Sequence, residues 1–265
     1  MAEVRSFIKW AGGKTRSAAQ LVAAAPPYTG RYWEPFMGSA AVFFELRPAK
    51  AVLSDANPEL VACFQAVAAE PEAVMAHLDA MPNTPERFEL VRRQDPATLG
   101  TIERAARVIY LNKTAFRGLW RVNRHGRFNV PYGAYDRPYY RRETLLEAST
   151  ALAGVDLRQC DFADALREAG AGDWVFLDPP YLPEGGFADF KRYTPGQFRD
   201  TDHERLAAEM HAASARGVLL TLTNSDTEAT RRIYAGFRTT RMATRRDINL
   251  RAAARASVDL VITNY

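Results

Sequence analysis

The sequence predicts an α/β protein: a parallel, Rossmann-like sheet, a mainly helical insertion carrying a β-hairpin, and a terminal antiparallel hairpin. Three observations predict it. Residues 172–177, Gly-Asp-Trp-Val-Phe-Leu, form an acid-to-apolar run of strand length that stops at Asp178-Pro179-Pro180-Tyr181. Residues 31–46 read as a strand, a small-residue loop and a helix N-terminus, the arrangement that holds nucleotide-like ligands in doubly wound folds. Strand-length and helix-length segments alternate on both sides of a proline-interrupted helical stretch, as in βαβ units around an insertion.

A chain of 265 residues with 47% hydrophobic residues can build one large α/β domain with an inserted segment. It lacks any run of about eighteen apolar residues, and Met1 to Arg5 open on charge with no apolar run behind them, so neither a membrane span nor a signal peptide is expected and a cytoplasmic location is. Cys63 and Cys160 show no ligand spacing; buried structural thiols are expected, with no disulfide and no metal. The net charge is only +4, but residues 113–142 hold eight Lys and Arg against one Asp, a net of +7 that leaves −3 for the rest.

In chain order, Phe7-Ile8-Lys9-Trp10-Ala11-Gly12-Gly13-Lys14 sets a tryptophan and two lysines around a Gly-Gly turn. Glycine there lets backbone approach a ligand, and Trp10 offers a flat face to a purine, although a lone tryptophan near an N-terminus is more often a core residue. A helical run at 17–25 is closed by Pro26-Pro27. The strand at 31–36 leads through Met37-Gly38-Ser39-Ala40 into a helix at 41–46, with Ala40 where a second glycine is expected. A second strand, 51–55, ends in Asp55 about twenty residues after the first, where a carboxylate can hold ribose hydroxyls. Asn57-Pro58 starts a helical region to residue 112, broken at Pro71, Pro82, Pro85 and Pro96.

Residues 112–133 alternate apolar, aromatic and basic residues around a turn at 123–126, which predicts a hairpin with a positive face and aromatic tips. Arginines there can pair with phosphates or fork onto guanine edges, and Phe116 or Trp120 can wedge between bases; the same rings could instead pack the hairpin, and the charges could be a solvated face. A helix at 143–153, a strand at 155–160 followed by Asp161 and Asp164, and a helix into Gly170 resume the alternation. After the strand at 172–177, two prolines force a sharp turn that leaves Asp178 and Tyr181 at its carboxyl end, where open parallel sheets bind ligands. A polar loop at 184–196, free to move, precedes a helix at 201–215, a strand at 218–224 and a helix capped by Ser225-Asp226-Thr227. Residues 237–242 and 258–265, on either side of an arginine-rich loop at 245–255, fit a terminal β-hairpin.

This combination resembles the Dam-type DNA adenine-N6 methyltransferases nearly end to end. Residues 7–14 look like the family's first cofactor motif, Glu34-Pro35-Phe36-Met37-Gly38 like its glycine loop, Ser54-Asp55-Ala56-Asn57 like its ribose motif and Asp178-Pro179-Pro180-Tyr181 like its catalytic motif. The resemblance implies a seven-stranded methyltransferase sheet formed by residues 1–57 and 143–265, and a DNA-recognition insertion at 58–142. It implies S-adenosylmethionine as methyl donor, held by Trp10, Lys14, Asp55 and Asp178 with the Phe36 to Gly38 loop around its amino-acid part, and with Asp161 and Phe162 flanking its adenine. Lys9, Leu119, Arg121 and Pro131 match positions that lie on the recognition sequence in GATC-methylating relatives. With Lys113, Phe116, Arg117, Asn123 and Arg124 they make up the expected DNA contacts. The relatives carry a different aromatic and an asparagine where this chain has Phe116 and Arg117, so a GATC-like target is an expectation only in outline.

The catalytic motif has a physical logic. An adenine amino nitrogen is a poor nucleophile because its lone pair is delocalised; acceptors at Asp178 and Pro179 can draw the two amino protons and favour a pyramidal nitrogen. A base inside a duplex cannot reach such a pocket and must be flipped, and Tyr181 is placed to stack on it. Rival readings are an N-methyltransferase acting on RNA or a protein amide, whose related turns often begin with Asn, and a DNA-binding regulator with a decayed cofactor site. Asp178 with the basic segment argues against the first, and intact Trp10, Lys14 and Asp55 against the second. The expected partner is double-stranded DNA, bound by a monomer, with room for a cognate restriction endonuclease.

Overall fold

Apolar runs long enough for one strand settle where helices cover both their faces. In the computed structural model these runs become β1 (Tyr32–Glu34) and β2 (Ala51–Asp55), which precede the helical region, and β3 (Asp156–Gln159), β4 (Trp174–Leu177) and β5 (Leu219–Ser225), which follow it. The structure describes residues 5–183, 198–245 and 256–265; the polar loop expected at 184–196, nearly all of the arginine-rich loop and residues 1–4 lie outside the described residues. β1 to β5 are mutually parallel, and β6 (Arg238–Arg245) and β7 (Ala256–Thr263) form the expected terminal hairpin. The sheet order is β3-β2-β1-β4-β5-β7-β6, with β7 antiparallel to β5, so the sheet is seven-stranded and mostly parallel.

Successive strand residues point to opposite faces, and this alternation splits the core in two. Tyr32, Leu53, Trp174 and Phe176 face α1 (Ala18–Ala23), α2 (Ala41–Leu46) and the helical region. Trp33, Val175, Leu177 and Leu220 face α8 (Phe162–Glu168), α9 (Asp200–Ala215) and α10 (Glu228–Ile233). All of β1 and β4 is buried, as central parallel strands require, whereas edge strand β3 carries Asp156 and Arg158 and is partly exposed.

Between β2 and β3 lie α3 (Pro58–Ala69), α4 (Pro71–Asp79), α5 (Pro85–Arg93), α6 (Thr101–Thr114) and α7 (Arg142–Leu152). Pro58, Pro71 and Pro85 are the opening residues of three of these helices, so the prolines act as starts, at the position where a missing N–H costs nothing. Asn57 caps α3 by accepting from the Glu59 and Leu60 N–H groups (3.0 and 3.2 Å), and Thr84 caps α5 through Arg87 N–H (3.2 Å). α6 is buried along most of its length, and one core cluster runs without a break from Trp174 through Phe64 and Val108 to Phe128.

The segment after α6 departs from the expected hairpin in two ways. It makes isolated antiparallel bridges, Val122 with Phe128 and Ala115 with Tyr132, and no ladder. Its turn is real, closed by Gly126 N–H on the Asn123 carbonyl (3.0 Å) and by Asn123 N–H on the Arg127 carbonyl (2.9 Å). Trp120 is not an aromatic tip: it is buried, tilted against Phe128 at 5.1 Å and stacked on Trp10 at 5.9 Å between centroids. Burying its large apolar face outweighs displaying it. Only Phe116 projects, with 46% of its surface exposed. Of the two cysteines Cys63 is buried, while Cys160 is only half-buried. No helix among the described residues is long and apolar enough to cross a membrane.

Asp173 fastens the entry to β1 and β4. Its carboxylate accepts from Arg31 N–H (2.7 Å), Trp33 Nε1 (2.8 Å) and Gly170 N–H (3.0 Å). Asp173→Ala strands three donors and is expected to cost about 3 kcal/mol of unfolding free energy, measured by urea denaturation.

Candidate active site

Strand order reverses between β1 and β4, so the chain leaving β1 turns to one side and the chain leaving β4 to the other. The glycine loop follows β1 and the Asp178 turn follows β4; the predicted catalytic and cofactor residues therefore meet at the crevice this switch creates. The closest link is between Lys14 and Asp178. Lys14 Nζ donates to both carboxylate oxygens (2.6 and 2.7 Å) and to the Gly12 carbonyl (2.8 Å), with both side chains largely buried. Thr223 Oγ1 adds a third bond to Asp178 Oδ1 (2.7 Å). Burial pushes the Asp178 carboxyl above the usual carboxylate range, and the Lys14 charge and the Thr223 hydroxyl pull it part of the way back. Tyr181 lies beneath the Lys14 ammonium, 4.8 Å from its ring centroid, and donates its phenol proton to Asp259 Oδ2 (2.9 Å).

Thr223 and Asp259 were not among the residues expected from sequence. Thr223 follows from strand pairing: parallel register pairs Leu177 with Leu222, which sets the next residues, Asp178 and Thr223, side by side. Asp259 had no local signal, since it arrives through the antiparallel pairing of Ser225 with Asp259.

Two loops form the floor. A Cβ on Gly13 would lie 2.9 Å from Ser39 Oγ, and one on Gly38 would lie 2.9 Å from Trp10, so glycine is needed where the loops cross. Gly38 also has φ +46°. Ala40 takes a left-handed conformation as well, φ 51° and ψ 35°, a strain on a residue with a Cβ that is borne because the residue is wholly buried at the head of α2. Asp55 accepts from Gly38 N–H (3.2 Å) and Asn57 N–H (2.9 Å); burial raises its carboxyl to about 6 against these bonds. Behind the loop, Glu34 accepts from Tyr32 (2.8 Å) and from Phe43 N–H (3.2 Å), and burial raises it to about 8 against these bonds. On the far side Phe36 stacks on Phe162 at 5.4 Å, Arg205 lies 4.1 Å over Phe162, and Arg205 grips Asp161 with two bonds (2.7 and 3.0 Å). Although burial acts to raise it, the Arg205 guanidinium and the Ala163 N–H hold the Asp161 carboxyl below its ordinary range.

The basic segment is pinned above this floor by Asn112. Its Oδ1 accepts from Lys9 N–H (2.9 Å), while its Nδ2 donates to the Lys9 carbonyl (2.6 Å) and to the Gly118 carbonyl (3.3 Å). Phe116 N–H reaches the Pro131 carbonyl (2.8 Å) and Arg117 N–H reaches the Tyr135 hydroxyl (2.6 Å), fixing Arg117 at φ 59° with its guanidinium 5.5 Å from the Phe116 ring. Arg121 donates to Asn129 through Nε (2.8 Å) and through its terminal nitrogen to the Asn129 carbonyl (3.2 Å). Burial, together with the charges of Lys9 and Arg137, pushes the Lys113 amine down to about 8. One cleft of about 1850 Å³ is lined by Asp178, Pro179, Pro180 and Tyr181, by all the expected cofactor residues, and by Lys9, Lys113, Phe116, Arg117, Leu119, Arg121 and Pro131. Asn123 and Arg124 are outside it: Asn123 Oδ1 accepts from His125 and Arg127 N–H groups within the turn (2.9 and 3.1 Å), and Arg124 is exposed beside His125.

A buried carboxylate at a nucleotide-type crevice, with a basic segment lining the same cleft, is an arrangement suited to an enzyme that acts on a nucleic acid. The chain belongs to the D12 class N6 adenine-specific DNA methyltransferases, whose family model matches residues 10–248. It is 32% identical to the type II methyltransferase M1.LlaDCHI of Lactococcus lactis subsp. cremoris, covering 99% of this chain and 96% of that one. It is 30% identical to the DNA adenine methylase of Haemophilus influenzae over 98% and 93% of the two chains. It is 33% identical to the DNA N-6-adenine-methyltransferase of Escherichia phage P1, over 95% of this chain and 34% of that longer protein. It is thus an enzyme that methylates adenine N6 in DNA, and the expectation from the four motifs holds.

Lys14→Met leaves the Asp178 carboxylate buried without its cation. The variant is expected to lose about 3 kcal/mol of stability, and Lys14→Met with Asp178→Asn to recover part of it, measured by chemical denaturation of all three proteins.

Proposed function

We propose that this enzyme transfers the methyl group of S-adenosylmethionine to an adenine flipped out of double-stranded DNA, with Asp178, Pro179, Pro180 and Tyr181 as its catalytic turn. The observation that carries the reading is the shared cleft, in which the Asp178 turn has the glycine-lined floor on one side and the basic segment on the other. The floor suits the donor. Asp55 offers an acceptor to ribose hydroxyls, Asp161 and Phe162 flank its adenine, and Trp10, Lys14 and the Phe36 to Gly38 loop surround its amino-acid part. S-adenosylmethionine, when bound, supplies an electrophilic methyl carbon.

The chain's own residues prepare the nucleophile. Asp178 Oδ1 already accepts from Lys14 and Thr223, whereas among the described residues Oδ2 accepts from Lys14 alone, so Oδ2 keeps a lone pair for one amino proton of the target adenine. The Pro179 carbonyl takes the other. Both bonds strengthen as the nitrogen becomes pyramidal and its lone pair is released, which is where transition-state stabilisation is gained. Tyr181 carries Lys14 over one ring face, assigning the flipped base to the other.

Residues 58–142 serve target recognition and residues 1–57 and 143–265 catalysis. Lys9, Leu119, Arg121 and Pro131 face the cleft and read the bases of a site in the GATC class, Phe116 enters the stack, and Lys113 and Arg117 act from the same wall. Asn123 and Arg124, at the turn outside the cleft, are suited to the phosphate backbone beside the site. The enzyme works as a monomer in the cytoplasm. A companion restriction endonuclease accords with the type II name of the Lactococcus relative.

The decisive experiment expresses wild type and Asp178→Ala in a methylation-free host and maps methyladenine by long-read sequencing. Wild type is expected to mark one sequence, and Asp178→Ala to lose about 10²- to 10³-fold in single-turnover rate, the scale of one transition-state hydrogen-bonding group. Normal methylation by that variant sinks the assignment. A second test uses pH: Asp55 is ionised above about 6, and its acceptor function is lost as pH falls through that value. Affinity for S-adenosylmethionine is therefore expected to drop about tenfold from about pH 7.5 to about pH 5, with Asp55→Asn showing no such step in calorimetry.

A further inference from the structure

The terminal hairpin does more than close the sheet edge. Because β7 runs antiparallel to β5, its N-terminal half lies at the carboxyl end of the parallel strands, whereas a parallel strand would carry those residues to the opposite edge. Asp259, paired with Ser225, thereby comes up beside the turn that follows β4. It is 5% exposed, and its Oδ2 accepts the Tyr181 phenol at 2.9 Å. Tyr181 is anchored at both ends as a result: its backbone by the proline turn, with the next residue, Leu182, donating its N–H to Asn224 (2.9 Å), and its hydroxyl by Asp259.

We propose that Asp259 is a positioning residue for the target base: by holding the Tyr181 hydroxyl it fixes the plane of the ring on which the flipped adenine stacks. The inference rests on the stacking role given to Tyr181 above. Three features of the site support it. Thr223, two residues from the Asp259 pairing partner on β5, holds the catalytic carboxylate, so β5 and β7 together set the relative placement of the acceptor and the ring. Burial, with Asp178 and Asp259 nearby, keeps the phenol protonated and hence a donor. Thr223, which holds the Asp178 carboxylate, also bonds the Tyr181 hydroxyl, so the acceptor and the ring share a neighbour on β5. No bond is made or broken by Asp259; it acts only through Tyr181.

The test is a double-mutant cycle with three readouts: fluorescence of 2-aminopurine at the target position for flipping, single-turnover methylation rate, and calorimetric affinity for S-adenosylmethionine. Asp259→Ala is expected to lower the flipping signal and the rate about tenfold, the scale of one hydrogen bond to a charged acceptor, with cofactor affinity unchanged. Asp259→Asn, which still offers an oxygen to the phenol, is expected to recover most of both. In a Tyr181→Phe background Asp259→Ala is expected to add nothing further. Independent, additive losses in the cycle overturn the proposal, as does wild-type flipping by Asp259→Ala. If Asp259→Ala fails to fold, Tyr181→Phe decides, since it removes the same bond: an about tenfold loss of flipping supports the proposal, and wild-type flipping overturns it. Tyr181→Ala separates the role of the ring from that of Asp259. Should it leave flipping intact, the stacking role itself fails; should it abolish flipping while Asp259→Ala does not, only the role of Asp259 fails.

Discussion

The ion pair between Lys14 and Asp178 joins residues 164 positions apart, and the site is organised around it. Lys14 follows a glycine turn that packs against the loop after β1; Asp178 follows the strand beside it. A buried pair of this kind is a poor source of stability, because desolvation offsets most of its Coulombic gain. Its value is in placement. It holds a carboxylate in a protected, hydrogen-bonded state at the crevice while leaving one oxygen with capacity to spare, and it lays a cation against one face of Tyr181.

A second constraint works on the opposite wall. Asn112, wholly buried, spends its side chain on the backbone of Lys9 and of Gly118. That leaves three pieces of chain, the first motif, the end of α6 and the basic segment, unable to move independently. Gly118 answers the same need, since a Cβ there would lie 2.6 Å from the Lys9 side chain. The basic segment therefore does not need a strand ladder of its own to be rigid; side-chain bonds and the Trp10–Trp120 stack supply what the missing ladder would have provided. The same economy explains why Trp120 is buried while Phe116, with its neighbour Arg117 in a left-handed conformation, is left at the mouth of the cleft.

Electrostatics in the two halves differ in kind. The floor gathers buried acids, with Glu34 and Asp55 raised by burial and Asp178 raised despite its cation. The roof gathers cations, and burial together with the charges of Lys9 and Arg137 depresses Lys113. On the DNA-binding role proposed for this wall, phosphates would relieve that repulsion.

Much of this was legible in the sequence. Every strand and helix of the sheet layers was expected within a few residues, because short apolar runs ended by Asp, Pro or Gly leave little choice, and the four motifs named the family. The helical region was legible as helices but not in its punctuation, since a proline that cannot sit inside a helix is equally suited to begin one. Periodicity could not decide whether an aromatic residue is displayed or buried, and Trp120 went the other way for that reason. What tertiary structure alone decided is which residues from distant strands meet: Thr223 by parallel register, Asp259 by the antiparallel return of the last strand, and Asn112 by the docking of a helix on the N-terminal segment. Local sequence sets what each segment is and what chemistry it carries. Register and docking depend on the sum of many weak contacts across the sheet, which no single stretch encodes.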